Sequence, residues 1–244
     1  MKNKRIISLL VFLLKTSNAS AIDTTEPFNV GFSNVEAYFD SGKIARETED
    51  EFSSLQLIIG GGLTERISLF SSSIVPIDAE FQKCSKTLSF GLLWNFLDTE
   101  HFDADIQLEG GLDGANVNVP FLAPMLELNL DFNGAGLFMQ TIVALSREES
   151  PSDIHTLEYI CSSGIAMGAY LNAHKDGQLF IQLFSLFPVE ENESSARPEN
   201  ISVGYNMAIS NFVELITEGR MHFPHVGNES NDFSFLTGFI FTLK

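Results

Sequence analysis

The chain is poor in the residues that staple, bend or ligate. Among its 244 residues are two cysteines, one tryptophan and eight prolines. Two cysteines are too few for a disulfide framework and fit no zinc spacing. Bases are also scarce, with 14 Lys and Arg against 32 Asp and Glu and a formal net charge of −18. That balance excludes the basic footprint of a nucleic-acid binder. Charged residues make up only 19% of the chain and hydrophobic ones 44%. A disordered acidic polymer would lack that apolar content. No apolar run reaches the roughly 18 residues needed to cross a membrane as a helix.

The longest apolar run, Ile6–Leu14, follows a positive start of Lys2, Lys4 and Arg5 and precedes Ala19-Ser20-Ala21. A basic segment, a short apolar stretch and a small-x-small site make a secretory leader. The expected organisation is a signal peptide over 1–21 and a single domain over 22–244. Removing the leader's four bases leaves ten against 32 acids, a net of −22.

What remains has a period of two. In Phe102–Leu112 the apolar series Phe102, Ala104, Ile106, Leu108 alternates with Asp103, Asp105, Gln107 and Glu109. In Leu126–Asn133, Leu126, Leu128, Leu130 and Phe132 alternate with Glu127, Asn129, Asp131 and Asn133. Successive side chains of a strand point to opposite faces, so each segment has one apolar and one acidic or amide face. The pattern predicts twelve strands, near 28–39, 52–63, 66–76, 86–98, 101–112, 122–133, 136–147, 155–172, 177–187, 199–210, 212–221 and 232–243.

The connections order these strands. Short, turn-forming links such as Leu63-Thr64-Glu65-Arg66, Asp98-Thr99-Glu100-His101 and Asn133-Gly134-Ala135-Gly136 alternate with longer polar ones. Asn, Asp and Gly close tight hairpins. The reading is an all-β, up-and-down antiparallel meander with its long loops at one end. Closing into a barrel hides the edges of such a meander. Strand length, even strand number and loop asymmetry match a transmembrane β-barrel, apolar outside and polar in the lumen. Aromatics near the short turns (Phe96, Phe102, Phe132, Phe138, Tyr170, Phe180, Phe212, Phe239, Phe241) suggest an interfacial girdle. A soluble exported barrel with its apolar face inward is the alternative.

Two stretches carry a resemblance to a known family. Gly62-Leu63-Thr64-Glu65-Arg66-Ile67-Ser68-Leu69 is similar to a short hairpin of the outer-membrane β-barrel channels associated with the meta-pathway of phenol degradation. Val203-Gly204-Tyr205-Asn206-Met207-Ala208, followed by Asn211-Phe212-Val213-Glu214-Leu215 and Gly219, resembles that family's closing hairpin, with Glu214-Leu215 where the family has Leu-Asp. Gly238-Phe239-Ile240-Phe241-Thr242-Leu243 resembles the last-strand signal read by the barrel assembly machinery. The resemblance implies fold and cell outer-membrane location more firmly than substrate.

On the barrel reading, Asp103, Asp105, Glu109, Glu127 and Asp131 line the lumen and are the candidate cation-selectivity residues. Arg66, Lys175 and Arg220 are placed near strand ends and leave the acids unbalanced. A water-filled lumen lined by carboxylates favours cations. The expected function is a channel or passive transporter for small solutes. The alternatives are a non-conducting structural or ligand-binding barrel, and a soluble periplasmic barrel holding an apolar ligand.

Enzymatic signals are weak. The five histidines scatter over turns and loops, His222-Phe223-Pro224-His225 reads as a surface loop, and no nucleophilic serine stands beside a histidine in strand register. The chain is therefore expected not to be an enzyme and to need no metal or cofactor. Gly60-Gly61-Gly62 precedes no helix, so it reads as a bulge rather than a phosphate loop. The acidic loop clusters Glu47, Glu49, Asp50, Glu51 and Glu190, Glu191, Glu193 lack calcium-loop spacing. Cys84 and Cys161 are either free or bridged by a loop folding back on the barrel. The expected partners are outer-membrane lipid and lipopolysaccharide, the assembly machinery during biogenesis, and a small solute, with no nucleic acid.

Overall fold

A computed structural model of the chain describes residues 30–31, 33–44, 50–77, 86–114, 118–149, 157–174, 177–187, 197–223 and 232–243. These form twelve strands: β1 (Ser33–Ile44), β2 (Asp50–Thr64), β3 (Ile67–Pro76), β4 (Lys86–Asp98), β5 (Phe102–Gly114), β6 (Asn118–Asp131), β7 (Ala135–Glu149), β8 (Leu157–His174), β9 (Gly177–Phe187), β10 (Arg197–Ser210), β11 (Val213–His222) and β12 (Asp232–Leu243). Each pairs antiparallel with its sequence neighbours, and β1 pairs with β12 to close the barrel. Closure leaves no open edge, the condition for a sheet to span lipid. The leader expected over 1–21 lies outside the described residues, as do most of the long connections.

The expected strand number and order hold. The largest difference is β1, which begins and ends about five residues later than its apolar pattern suggested. Asp40-Ser41-Gly42-Lys43 looks like a turn in sequence, yet it is paired on both sides, with β2 and β12. Its polarity is accommodated because Asp40 points inward to a charged partner.

Exposure separates the two faces. Ile59, Phe90, Leu108, Ile181, Val203 and Phe233 project outward and are exposed. On the opposite face Glu36, Gln56, Ser72, Glu127, Gln182 and Ser234 are buried inside. Apolar outside and polar inside is the distribution lipid imposes on a barrel. At the β6–β7 turn Asn133 (φ 57°) and Gly134 (φ 107°) both occupy the left-handed region, and the Phe132 N–H donates to the Ala135 carbonyl at 2.7 Å. Two positive φ values give the turn a twist that matches paired strands. The glycine run before the β2–β3 turn carries a register shift between Gly62 and Thr64, as its sequence suggested.

The aromatics divide in a way that corrects the expected girdle. Phe96, Phe132, Phe212, Phe239 and Phe241 are exposed on the outer surface, whereas Phe138 and Phe180 are buried inside and Tyr170 packs against an inner apolar cluster. Five inward rings lie across a glycine directly opposite on the next strand: Tyr38 over Gly238, Phe70 over Gly91, Phe138 over Gly168, Tyr170 over Gly136 and Phe180 over Gly204. A Cβ at any of these glycines would collide with the ring. The ring covers backbone that glycine leaves bare, and the glycine gives the ring room to lie flat against the wall.

Candidate functional site

The inner wall is the candidate site. On β5 and β6 register places Asp105 opposite Glu127, Asp103 opposite Asn129 and Glu109 opposite Ala123. Asp105, Glu109 and Glu127 are buried in the interior, and Asp103 and Asp131 on the same face are half-buried nearer the short-turn end. All five expected lumen residues therefore share one wall. Asp103, Asp105, Glu127 and Asp131 gather toward the short turns, and Glu109 lies deeper.

Amide and hydroxyl donors hold most of these carboxylates. Asn129 Nδ2 donates to Glu127 Oε1 at 3.1 Å and Gln140 Nε2 to Glu127 Oε2 at 2.5 Å. Asn95 Nδ2 donates to Asp103 Oδ1 at 2.6 Å. Glu109 accepts from Ser89 Oγ, and from Gln107 Nε2 at 3.5 Å. Such bonds fix carboxylate geometry without cancelling its charge.

The opposite wall holds groups that sequence reading placed wrongly or passed over. Arg220 lies near the end of β11, as its position in the sequence suggested, and is buried inside. Its guanidinium grips Glu218 with two bonds of 2.8 Å and reaches Asp40 Oδ2 at 3.1 Å. Asp40 is on β1 and Glu218 on β11, so the pair spans the last strand and the closing seam. Arg220 is buried, and its charge is spent on these two acids. Glu36, hydrogen-bonded by Tyr38 Oη at 2.8 Å, adds another inward acid. The alternations Glu36-x-Tyr38-x-Asp40 and Glu218-x-Arg220-x-His222 are the signals that could have found them.

His222 is no surface-loop residue. It ends β11 facing inward, is buried, and its Nε2 lies 2.8 Å from Ser234 Oγ. Sequence reading missed this serine–histidine contact because the two are not register partners; Ser234 stands opposite Arg220. His225 lies outside the described residues, as does Cys84. Cys161 is a free thiol exposed on the barrel surface. Among the described residues no group of three or more His, Cys, Asp or Glu is arranged to hold a metal.

The interior also carries apolar matter. Phe121, Met125, Ile142, Phe184 and Leu186 form one buried cluster with three alanines. Tyr38, Ile58, Phe180, Ile216, Leu236 and Ile240 form a second. These residues share the inner face with the acids, since Phe121 and Met125 alternate in step with Glu127. The lumen is thus lined by acids, amides and hydrocarbon together.

No protein-family model and no curated protein sequence matches the chain. Solved structures do. The NanC porin superimposes with a TM-score of 0.61 at 8% identity, over 86% of this chain and 98% of that one. The COG4313 outer membrane channel from Pseudomonas putida F1 gives 0.61 at 11% identity, over 92% and 100%. The KdgM porin gives 0.56 at 9% identity, over 85% and 98%. The fold is that of outer-membrane channel barrels. At such low identity the likeness is one of strand number and closure, and the residues on the inner wall are this chain's own.

Proposed function

We propose that the protein is a passive outer-membrane channel for small solutes, exported by a cleaved leader over 1–21, with 22–244 forming the barrel and no catalytic role. We further propose that Asp103, Asp105, Glu109, Glu127 and Asp131 give its lumen a preference for cations. One observation carries the reading: a closed twelve-strand barrel, apolar outside, sets these five carboxylates on one inner wall while the buried Arg220 is engaged on another. Carboxylates facing water in a confined lumen attract cations and repel anions.

Reversal potentials across planar bilayers under a salt gradient test it. The expected sign is that of a cation-selective pore. Replacing Asp103, Asp105, Glu127 and Asp131 with Asn or Gln is expected to move the potential toward zero. Anion selectivity, or a potential unmoved by the substitutions, would sink the proposal. The buried apolar clusters favour a second reading, a narrow or non-conducting barrel. Folded, heat-modifiable protein that inserts into bilayers but passes no current would select it. Cell fractionation separates both from a soluble periplasmic barrel, because a membrane barrel is released only by detergent.

A further inference from the structure

Proline inside a paired strand is costly, because it has no N–H to give the ladder. Pro76 closes β3, and Pro198 lies at the start of β10 beside a register shift. Pro120 and Pro124 are placed differently. They belong to β6, which pairs with β5 without a break from Asn118 to Leu130. On the β7 side the ladder is interrupted. It pairs Phe121 with Ser146 and Leu122 with Leu145, omits Ala123 and Pro124, and resumes with Met125 and Ile142. Toward the long loops, Asn118–Pro120 pair with β5 alone, although β7 continues to Glu149 beside β8. Alternate N–H groups of a strand point to the same neighbour, so both prolines withhold their donor from β7. The other irregularities among the described ladders are register shifts near strand ends.

The consequence is a partial edge inside a closed barrel. Pro124 gives the Val143 carbonyl opposite it no ladder donor, and lipid supplies none. The short-turn half of the same seam is fastened. It is paired without a break from Met125 and Ile142 to Asp131 and Gly136, and Gln140 Nε2 donates to Glu127 across it. The weaker half is apolar through its thickness. Leu122, Val143 and Leu145 are exposed outside, and Phe121, Ala123, Met125, Ile142 and Ala144 belong to the buried apolar cluster inside. At the acidic wall or at Arg220, parted strands would bring charge to lipid, which is expensive. Here parting brings hydrocarbon to hydrocarbon.

We infer that the barrel wall parts between β6 and β7 over the long-loop half of this seam and passes small apolar molecules between the lumen and the lipid. The residues of the inner cluster are packed together in the closed wall, so room for a molecule comes only with the parting. The inference needs the barrel to sit in lipid, and it does not need the cation preference.

Backbone amide exchange of the full mature chain in lipid nanodiscs, read by NMR, tests the parting. The amides of Leu122, Val143 and Leu145 face across the seam, whereas those of Ala123 and Ala144 face β5 and β8 at the same height. The first set is expected to exchange about tenfold or more faster than the second, as a locally opened unit does. Pro124→Val restores a donor and is expected to bring the two sets together. Passage is read as entry of N-phenylnaphthylamine, an uncharged apolar dye, into cells carrying the protein. In a Cys84→Ser/Cys161→Ser background, a disulfide formed by Leu122→Cys and Leu145→Cys is expected to abolish the protein-dependent entry, and its reduction to restore it. Equal exchange of the two amide sets, or dye entry unchanged by the disulfide, would overturn the inference. If a variant fails to fold, the comparison of amides in the unaltered protein still decides. Bilayer conductance separates this claim from the channel: a parting seam without ion current keeps the seam and removes the channel, and current with equal exchange does the reverse.

Discussion

At the scale of single residues, the inner wall rests on two kinds of fit. The first is shape. Phe180 lies over Gly204, and a methyl added there would strike the ring and stand 2.7 Å from the Thr217 carbonyl oxygen. Gly219, one strand away and facing outward, has open space around it. Gly204→Ala is expected to destabilise the barrel by about 1–3 kcal/mol, the usual cost of overpacking, and Gly219→Ala to be neutral or slightly stabilising. Urea unfolding of the two variants in lipid vesicles measures the difference. The second fit is polar. The carboxylates Asp103, Glu109 and Glu127 were legible as inward-facing from their alternation with leucines and isoleucines. Of their partners, only Asn129, two residues from Glu127 on β6, shares that alternation; Asn95 and Gln140 reach in from neighbouring strands whose register no single-strand pattern reveals. The glycine–aromatic pairs were hidden for the same reason. Gly136-x-Phe138 and Gly168-x-Tyr170 are unremarkable separately and become two interlocked joints only when β7 and β8 are aligned.

At the scale of elements, sequence carried almost everything, and physics explains why. A strand between lipid and lumen meets opposite solvents on its two faces, so its residues must alternate. The alternation survives even where both faces turn apolar. Gln178–Phe187 reads ambiguously, yet Phe180, Gln182, Phe184 and Leu186 all point inward and Leu179 and Ile181 outward. Strand ends were less legible, since Asp40–Lys43 mimics a turn. The turns themselves answer to backbone geometry. Gly134→Val, at φ 107°, places a β-branched side chain in a left-handed conformation and is expected to cost about 1–2 kcal/mol. The check is the unfolding midpoint of the variant, with Asn133→Gly beside it, which keeps the required φ and is expected to stay close to the parent.

At the scale of the whole molecule, one ionic group fastens the circle. Arg220 on β11 reaches across β12 to Asp40 on β1, joining residues 180 positions apart. Both ends of this contact are buried, with side chains 2% and 10% exposed. Removing one partner of a buried pair leaves the other charge unmatched and typically costs 3–5 kcal/mol. Arg220→Met is therefore expected to lower stability by about that amount, and adding Asp40→Asn and Glu218→Gln to recover much of it. Urea titration of heat-modifiable migration across the parent and the two variants reads this directly.

The same contact has a bearing on time. The strands are made in order, and Asp40 belongs to the first and Arg220 to the eleventh. Contacts between neighbours form over short loops, whereas this one waits for nearly the whole barrel to exist, and long loops are the slow ones to close. Until then Asp40 is a carboxylate with no arginine, a poor candidate for early entry into lipid. The first strand is thereby held at the water's edge until the last arrives beside it, and insertion and closure become a single late event.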